Sequence, residues 1–172
     1  MIQVSKQAPD FEMEAVTDST FTKIKLSDYR GKWVVLFFWP LDFTFICPTE
    51  VTAFSKRIAE FEPLNAVLLG ASTDSKFSHL AWQEQIGHVN YPMMSDITKE
   101  ASRDYGILIE EEGIALRGLF IIDPDGILRY QVVHDLSIGR NVDEVLRVLK
   151  ALQTGELCPV DWEDGAATLG KA

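Results

Sequence analysis

Three features of this 172-residue chain predict an α/β fold, a mixed β-sheet with helices packed on it. Apolar runs without alternation recur along it, stripes at helical spacing lie between them, and one strong hairpin turn joins two late runs. The predicted order is β-α-β-α-α-β-β-α. No internal repeat and no low-complexity linker divides the chain, and its length suits one domain of ordinary size.

The run Lys32 to Trp39 is rich in Trp, Val, Leu and Phe and does not alternate, as expected of a central strand buried on both faces. Gly31 precedes it and Pro40 stops it. Val51, Phe54, Ile58 and Phe61 then mark one face of a helix over Pro48 to Phe61, with proline suited to the first helical position. Ala66 to Ser72 is a second short apolar strand. Ser75 to Gln85 reads as a helix with Phe77, Leu80 and Ala81 on one face. Asp96 or Thr98 caps a short helix that ends at Tyr105-Gly106. Leu119 to Asp123 and Ile127 to Val133 are strands joined by the turn Asp123-Pro124-Asp125-Gly126. Val142, Val145, Leu146, Leu149 and Leu152 form a last helical stripe that stops before Gly155, after which the chain reads as irregular.

Composition narrows the function. Hydrophobic residues at 47% and charged residues at 24% describe a globular chain. Sixteen basic against 26 acidic residues leave a net charge of −10, which argues against nucleic acid or an anionic membrane surface as partner. The apolar run Trp33 to Leu41 is far short of the about 20 residues of a membrane span. The first residues carry no apolar stretch suited to export, so a cytoplasmic location is expected. Two cysteines, Cys47 and Cys158, are too few for a disulfide framework, so reactivity is the question to ask of each.

Cys47 falls where a buried strand ends and a helix begins, in Trp39-Pro40-Leu41-Asp42-Phe43-Thr44-Phe45-Ile46-Cys47-Pro48-Thr49-Glu50. First-turn N–H groups and the helix dipole favour an anion there, and such a position beside a cation lowers a thiol's titration from about 8.5 by several units. Thr44 offers a hydroxyl to a thiolate or to a bound substrate oxygen, and Pro40 and Pro48 stiffen the loop on both sides. The competing reading is an inert cysteine packed among apolar neighbours. Cys158, in Gly155-Glu156-Leu157-Cys158-Pro159, is either an exposed bystander or a mobile resolving thiol. No C-x-x-C pair is present, which counts against a thioredoxin-type local dithiol. His79, His88 and His134 lack zinc-ligand spacing, although a Cys-His pair near only in space stays open. Glu110-Glu111-Glu112 reads as a solvated loop, and Gly106, Gly113 and Gly118 as turn glycines with no phosphate loop among them.

The segment Asp42 to Glu50 resembles the active-site signature of typical two-cysteine peroxiredoxins, the alkyl hydroperoxide reductase C and thioredoxin peroxidase group. Its Pro-x-x-x-Thr-x-x-Cys core is present as Pro40, Thr44 and Cys47. Similarity continues in Ser72-Thr73-Asp74, in Arg117 to Asp123, in Gly139-Arg140 followed by Val142-Asp143-Glu144, and in Gly155 to Pro159. The resemblance implies a thioredoxin-like fold over residues 3–160, with 161–172 as a short C-terminal tail. It implies a thiol peroxidase with Cys47 as the peroxidatic cysteine and Cys158 as the resolving cysteine of a partner subunit. Arg117 matches the family's active-site arginine, and Glu50 and Arg140 match the network that orients it. The family works without metal, haem or flavin. It implies a hydroperoxide substrate, thioredoxin or a flavoprotein disulfide reductase as electron donor, and a homodimer that assembles into a decamer of five dimers. Two other functions stand beside this one: a peroxide sensor or holdase chaperone, and a general thiol-disulfide oxidoreductase.

The chain departs from the family's overoxidation-sensitive members. They carry a Gly-Gly-Leu-Gly insert where this chain has Gln85-Ile86-Gly87-His88-Val89-Asn90-Tyr91, and a C-terminal helix ending in Tyr-Phe that is not seen after Cys158 here. The expected outcome is a Cys47 that resists conversion to sulfinic acid. Mass spectrometry after exposure to micromolar peroxide checks this, and ready sulfinylation contradicts it.

Overall fold

The computed structural model describes residues 2–171, and the chain divides into two compact units between Arg140 and Asn141. In the first unit the elements run β1 (Glu12–Thr17), β2 (Thr20–Lys25), β3 (Trp33–Phe38), α1 (Cys47–Lys56), α2 (Ile58–Phe61), β4 (Ala66–Ser72), α3 (Lys76–Ile86), β5 (Met93–Ser95), α4 (Glu100–Asp104), β6 (Leu108–Ile109), β7 (Ile114–Ala115), β8 (Arg117–Ile122) and β9 (Leu128–His134). Seven strands form one mixed sheet in the order β2-β1-β5-β4-β3-β8-β9, with β6 and β7 a separate small hairpin. β3 pairs in parallel with β4 and antiparallel with β8, so the predicted central strand does lie inside the sheet. Among the described residues no helix is long and apolar enough to cross a membrane.

The predicted strands and helices are present, and the additional ones are those with weak signals. The hairpin of β1 and β2 turns on Asp18 and Ser19, both at positive φ, without the glycine that usually advertises such a turn. β5 is three residues long, too short for a periodicity to register. The helix expected over Pro48 to Phe61 is two helices. Its ladder breaks at Arg57, whose N–H bonds to the carbonyls of Phe54 and Ser55, while Asn90 Nδ2 donates to the Ser55 carbonyl.

Side-chain alternation in the central strands builds two cores. Val34, Leu36 and Phe38 of β3 join Phe120 and Ile122 of β8, Tyr105 and Ile107 on one face. Val35, Phe37 and Trp39 point the other way, where Phe37 stacks on Phe54 of α1 at 4.5 Å between ring centroids. Gly70 of β4 makes room on this face. A Cβ there would lie 2.9 Å from Trp39, 3.0 Å from Tyr91 and 3.1 Å from Phe37.

Two expectations are corrected, and the capping of α4 by Asp96 is met from further away than an adjacent N-cap. The inward face of α3 is His79, Trp82 and Gln83, whereas Phe77 is 64% exposed and Ala81 is exposed. Trp82 packs near Trp39 and the His79 ring is bonded at both nitrogens, so aromatic area and polar pairing outweigh the apolar stripe. Gly118 lies within β8 rather than in a turn, because Phe120 and Ile107 fill the space of its missing side chain. The short helix α4 is capped at a distance. Lys99 occupies the N-cap in a left-handed conformation, and Asp96 accepts from the N–H groups of Ala101 and Ser102.

The second unit holds α5 (Val142–Thr154), capped by Asn141, whose side chain accepts from the Glu144 N–H, and ended by Gly155 at φ 64°. The segment beyond is more ordered than its composition predicts. Leu157 N–H donates to Gly170 and Leu169 N–H to Leu157, closing residues 157–170 into a strap. Arg147 Nη1 donates to the Trp162 carbonyl at 2.8 Å and Lys150 pairs with Asp164 at 2.8 Å, tying the strap to α5.

Gly70→Ala is expected to destabilise the fold by about 1–3 kcal/mol, the range for overpacking a filled core. A urea titration followed by tryptophan fluorescence measures it.

Candidate active site

The loop between β3 and α1 is held by its own polar residues. Asp42 is buried and accepts from Trp39 Nε1 at 2.8 Å and from Ser78 Oγ at 2.8 Å. His79 Nδ1 lies 2.7 Å from the same carboxylate, and its Nε2 lies 2.9 Å from the Met94 carbonyl. The Met94 carbonyl can only accept, so Nε2 donates to it, and Nδ1 faces the Asp42 carboxylate within a buried pair. Asp42 N–H in turn donates to Asp74, whose carboxylate also accepts from Ser72 Oγ. These anchors sustain a strained residue in the loop, Phe43 at φ 56°. Pro40 is buried at the end of β3. The Thr44 hydroxyl donates to the Leu41 carbonyl at 3.0 Å, which leaves its oxygen lone pairs for a donor from elsewhere.

Cys47 is the first residue of α1, and Pro48 follows at the second position. Glu50 lies three residues on, so the helix puts it on the same side as Cys47. Arg117 opens β8. With Leu119 opposite Phe37 in the sheet register, alternation places Arg117 on the face that α1 covers. Arg140 comes from the loop after β9.

These residues form one charge cluster. Arg117 Nη1 donates to Glu50 Oε2 at 2.7 Å and lies 3.5 Å from Cys47 Sγ, while its Nε donates to the Leu136 carbonyl at 2.8 Å. Arg140 Nε and backbone N–H both donate to Glu50 Oε1 at 2.8 Å, and its Nη2 reaches Oε2 at 3.0 Å. Arg140 Nη1 donates to the Gly118 carbonyl, and its guanidinium lies 5.3 Å from the Phe37 ring centre, a cation–π contact. Cys47, Glu50 and Arg117 are 1%, 5% and 4% exposed. Burial pushes the Glu50 carboxyl up, but the hydrogen bonds and charge of Arg140 and the charge of Arg117 outweigh it and hold the group below the ordinary carboxylate range.

Two guanidiniums against one carboxylate leave a single uncompensated positive charge in a dry site. A negatively charged sulfur at Cys47 would offset it and take a donor from Arg117. The same donor can stabilise negative charge that develops on an oxygen beside the sulfur. Burial of the sulfur restricts its reaction partners to small molecules unless the first turn of α1 opens.

The other sequence candidates lie elsewhere. Cys158 is half-buried in the second unit, its Sγ 3.7 Å from the Ala151 carbonyl and 3.5 Å from Thr154 Oγ1. The triple glutamate is an exposed hairpin turn in which Glu110 pairs with Arg103. Sequence reasoning weighed His79 only as a metal ligand or a cysteine's partner, and passed over Asp42 and the carbonyls of Leu136 and Gly118. Only Asp42 carried a signal, its place inside the signature segment, because backbone carbonyls and cross-chain partners leave no mark in composition.

Comparison with known proteins gives concordant results. The model of the AhpC/TSA family matches residues 4–131. A mitochondrial thioredoxin-dependent peroxide reductase of Drosophila melanogaster is 54% identical over 94% of this chain and 73% of its own length. Peroxiredoxin-2 of Bos taurus is 52% identical over 96% of this chain and 88% of its own length. The crystal structure of the reduced Plasmodium vivax 2-Cys peroxiredoxin superposes with a TM-score of 0.95 at 41% identity, covering 98% of this chain and 93% of that one.

Glu50→Gln is expected to cost about 3–5 kcal/mol at pH 7, because two buried guanidiniums lose their counter-charge. The wild-type stabilisation by Glu50 is fully present above the free carboxylate value of about 4.3 and is lost as pH falls through the lower folded value. Urea titrations from pH 7 down to 3 test both points, and the variant should show a shallower acid limb.

Proposed function

Since the chain belongs to the AhpC/TSA family and is a peroxiredoxin enzyme with a thioredoxin-like fold, we propose that Cys47 reduces hydrogen peroxide and organic hydroperoxides and that Cys158 of a second copy resolves the product. The Cys47 thiolate attacks one peroxide oxygen in line with the O–O bond. The other oxygen leaves as hydroxide or alkoxide and takes up a proton. Cys47 becomes a sulfenic acid, the first and reversible rung of thiol oxidation. Attack by the Cys158 thiol on that sulfur forms the disulfide and releases water. An external dithiol then reduces the disulfide by exchange.

One observation carries this reading: Arg117 Nη1 bridges the Cys47 sulfur at 3.5 Å and the Glu50 carboxylate at 2.7 Å. Such a donor stands beside the sulfur where the leaving oxygen gains charge. Thr44 and the first-turn N–H groups are placed in the same loop and helix end to help orient the peroxide, and Pro40 shapes the floor. A relative named for thioredoxin dependence supports thioredoxin as the donor, with a flavoprotein disulfide reductase as the other candidate. A homodimer assembled into a decamer of five dimers is the proposed state.

A coupled peroxidase assay with candidate donors tests the function. Cys47→Ser is expected to abolish turnover, and Arg117→Ala to slow oxidation of Cys47 about 10²–10³-fold, the loss typical of one removed oxyanion donor. Oxidised protein should run as a covalent dimer on a non-reducing gel. Cys158→Ser should remove that band and spare a single turnover, whereas an intramolecular disulfide would overturn the intersubunit assignment.

A further inference from the structure

α1 is held in two different ways along its length. The first turn, from Cys47 to Glu50, is fastened by ionic contacts to Arg117 and Arg140. The turn that follows is fastened by neutral hydrogen bonds from the segment entering β5. Tyr91 OH donates to the Val51 carbonyl at 2.8 Å. Asn90 N–H and Nδ2 both donate to Ser55 Oγ at 3.0 Å, and Nδ2 also reaches the Ser55 carbonyl at 3.3 Å. The Ser55 hydroxyl in turn points its proton to the His88 carbonyl at 3.5 Å.

The Tyr91 ring is seated for this purpose. It meets Phe37 edge-on with centroids 5.6 Å apart, and the missing side chain of Gly70 clears the space beside its Cε2. Burial keeps the phenol protonated well beyond its ordinary range, so the hydroxyl remains a donor. Its acceptor is a helix carbonyl, whose second lone pair is free to take it.

We infer that Tyr91 and Asn90 are positioning residues that clamp α1 from Val51 to Ser55 and so set the point where its unwinding stops. The inference rests on the function proposed above, in which the buried Cys47 sulfur must leave its pocket to meet Cys158. An opening confined to Cys47–Glu50 frees the cysteine and keeps the rest of the helix docked on Phe37. Two reactions compete for the sulfenate while it stays in the pocket. In one, a second hydrogen peroxide transfers an oxygen to give sulfinate and water. In the other, the sulfenate takes up a proton, opening delivers the sulfenic acid to the Cys158 thiol, and the disulfide and water form. Because adjoining helical turns open and close cooperatively, a tighter clamp on the second turn also raises the cost of opening the first, lengthens the stay in the pocket and favours sulfinate.

Tyr91→Phe removes one hydroxyl and keeps the ring. In the reduced protein, amide hydrogen exchange over residues 51–56 should quicken about fivefold, the equilibrium factor for one net hydrogen bond of ordinary strength. At a peroxide concentration that sulfinylates part of wild-type Cys47, the ratio of sulfinate to disulfide should fall by a similar factor. The rate of first oxidation, read in a Cys158→Ser background, should stay the same. Asn90→Ala should move exchange and ratio in the same direction. A loss of stability alone would lower the urea midpoint and leave the ratio unmoved. Unchanged exchange, or faster exchange with an unchanged ratio, overturns the inference. If the wild-type protein forms no disulfide with peroxide, the proposed function fails instead, and the exchange experiment on reduced protein still decides whether the clamp exists.

Discussion

A single buried carboxylate, that of Glu50, holds the site together. It is the counter-ion of two guanidiniums that come from separate parts of the sheet unit, the start of β8 and the loop after β9. Each arginine also donates to a backbone carbonyl, Leu136 for Arg117 and Gly118 for Arg140. Both guanidiniums thus share one carboxylate and are further hydrogen-bonded, which lowers the cost of burying them although one positive charge stays in surplus. Removing the carboxylate would strand both guanidiniums, so the three elements are held in one arrangement. The Cys47 sulfur sits at the edge of this arrangement, where the surplus positive charge is.

The geometry depends on the sheet behind it. Strand alternation puts Phe37, Leu119 and Arg117 on the face that α1 covers, and the aromatic layer of Phe37, Trp39, Phe54 and Tyr91 gives the helix a rigid seat. Asp42 anchors the preceding loop from the other end through Trp39, Ser78 and His79. The cysteine therefore stands between two polar anchors, with apolar packing beneath. The cost of this rigidity falls on any step that needs the sulfur outside its pocket. Along α1 the fastening changes from ionic at the first turn to neutral hydrogen bonds at the second.

The strands whose residues are apolar at every position were legible, because a strand buried on both faces writes its whole length in Val, Leu, Ile and Phe. β3, most of β4 and the apolar part of β8 are of this kind, while β9, alternately exposed, was marked by the turn Asp123-Pro124-Asp125-Gly126 before it. The amphipathic stripe of α5 was legible through its helical period. β1 and β2 were not, since their hairpin turns without glycine, and β5 was too short to show a period. The face of α3 was misread because Phe77 is apolar but exposed, while His79 is polar and fully buried. Burial there follows the partners available, Asp42 and the Met94 carbonyl, which no local pattern encodes.

Local sequence alone determined that a thiol would stand at the first turn of a helix after a buried strand, with Pro40, Thr44 and Glu50 close by in the chain. Those placements follow from spacings of a few residues, within the reach of helical and loop geometry. Only the tertiary structure decided that Arg117 and Arg140 would converge on Glu50, that Tyr91 and Asn90 would grip the same helix further along, and that Cys158 would rest in a strap tied to α5. The physical reason is that a side chain's charge and hydrogen bonds act over a few ångströms in space, whatever its distance along the chain, and sheet register is what closes that distance.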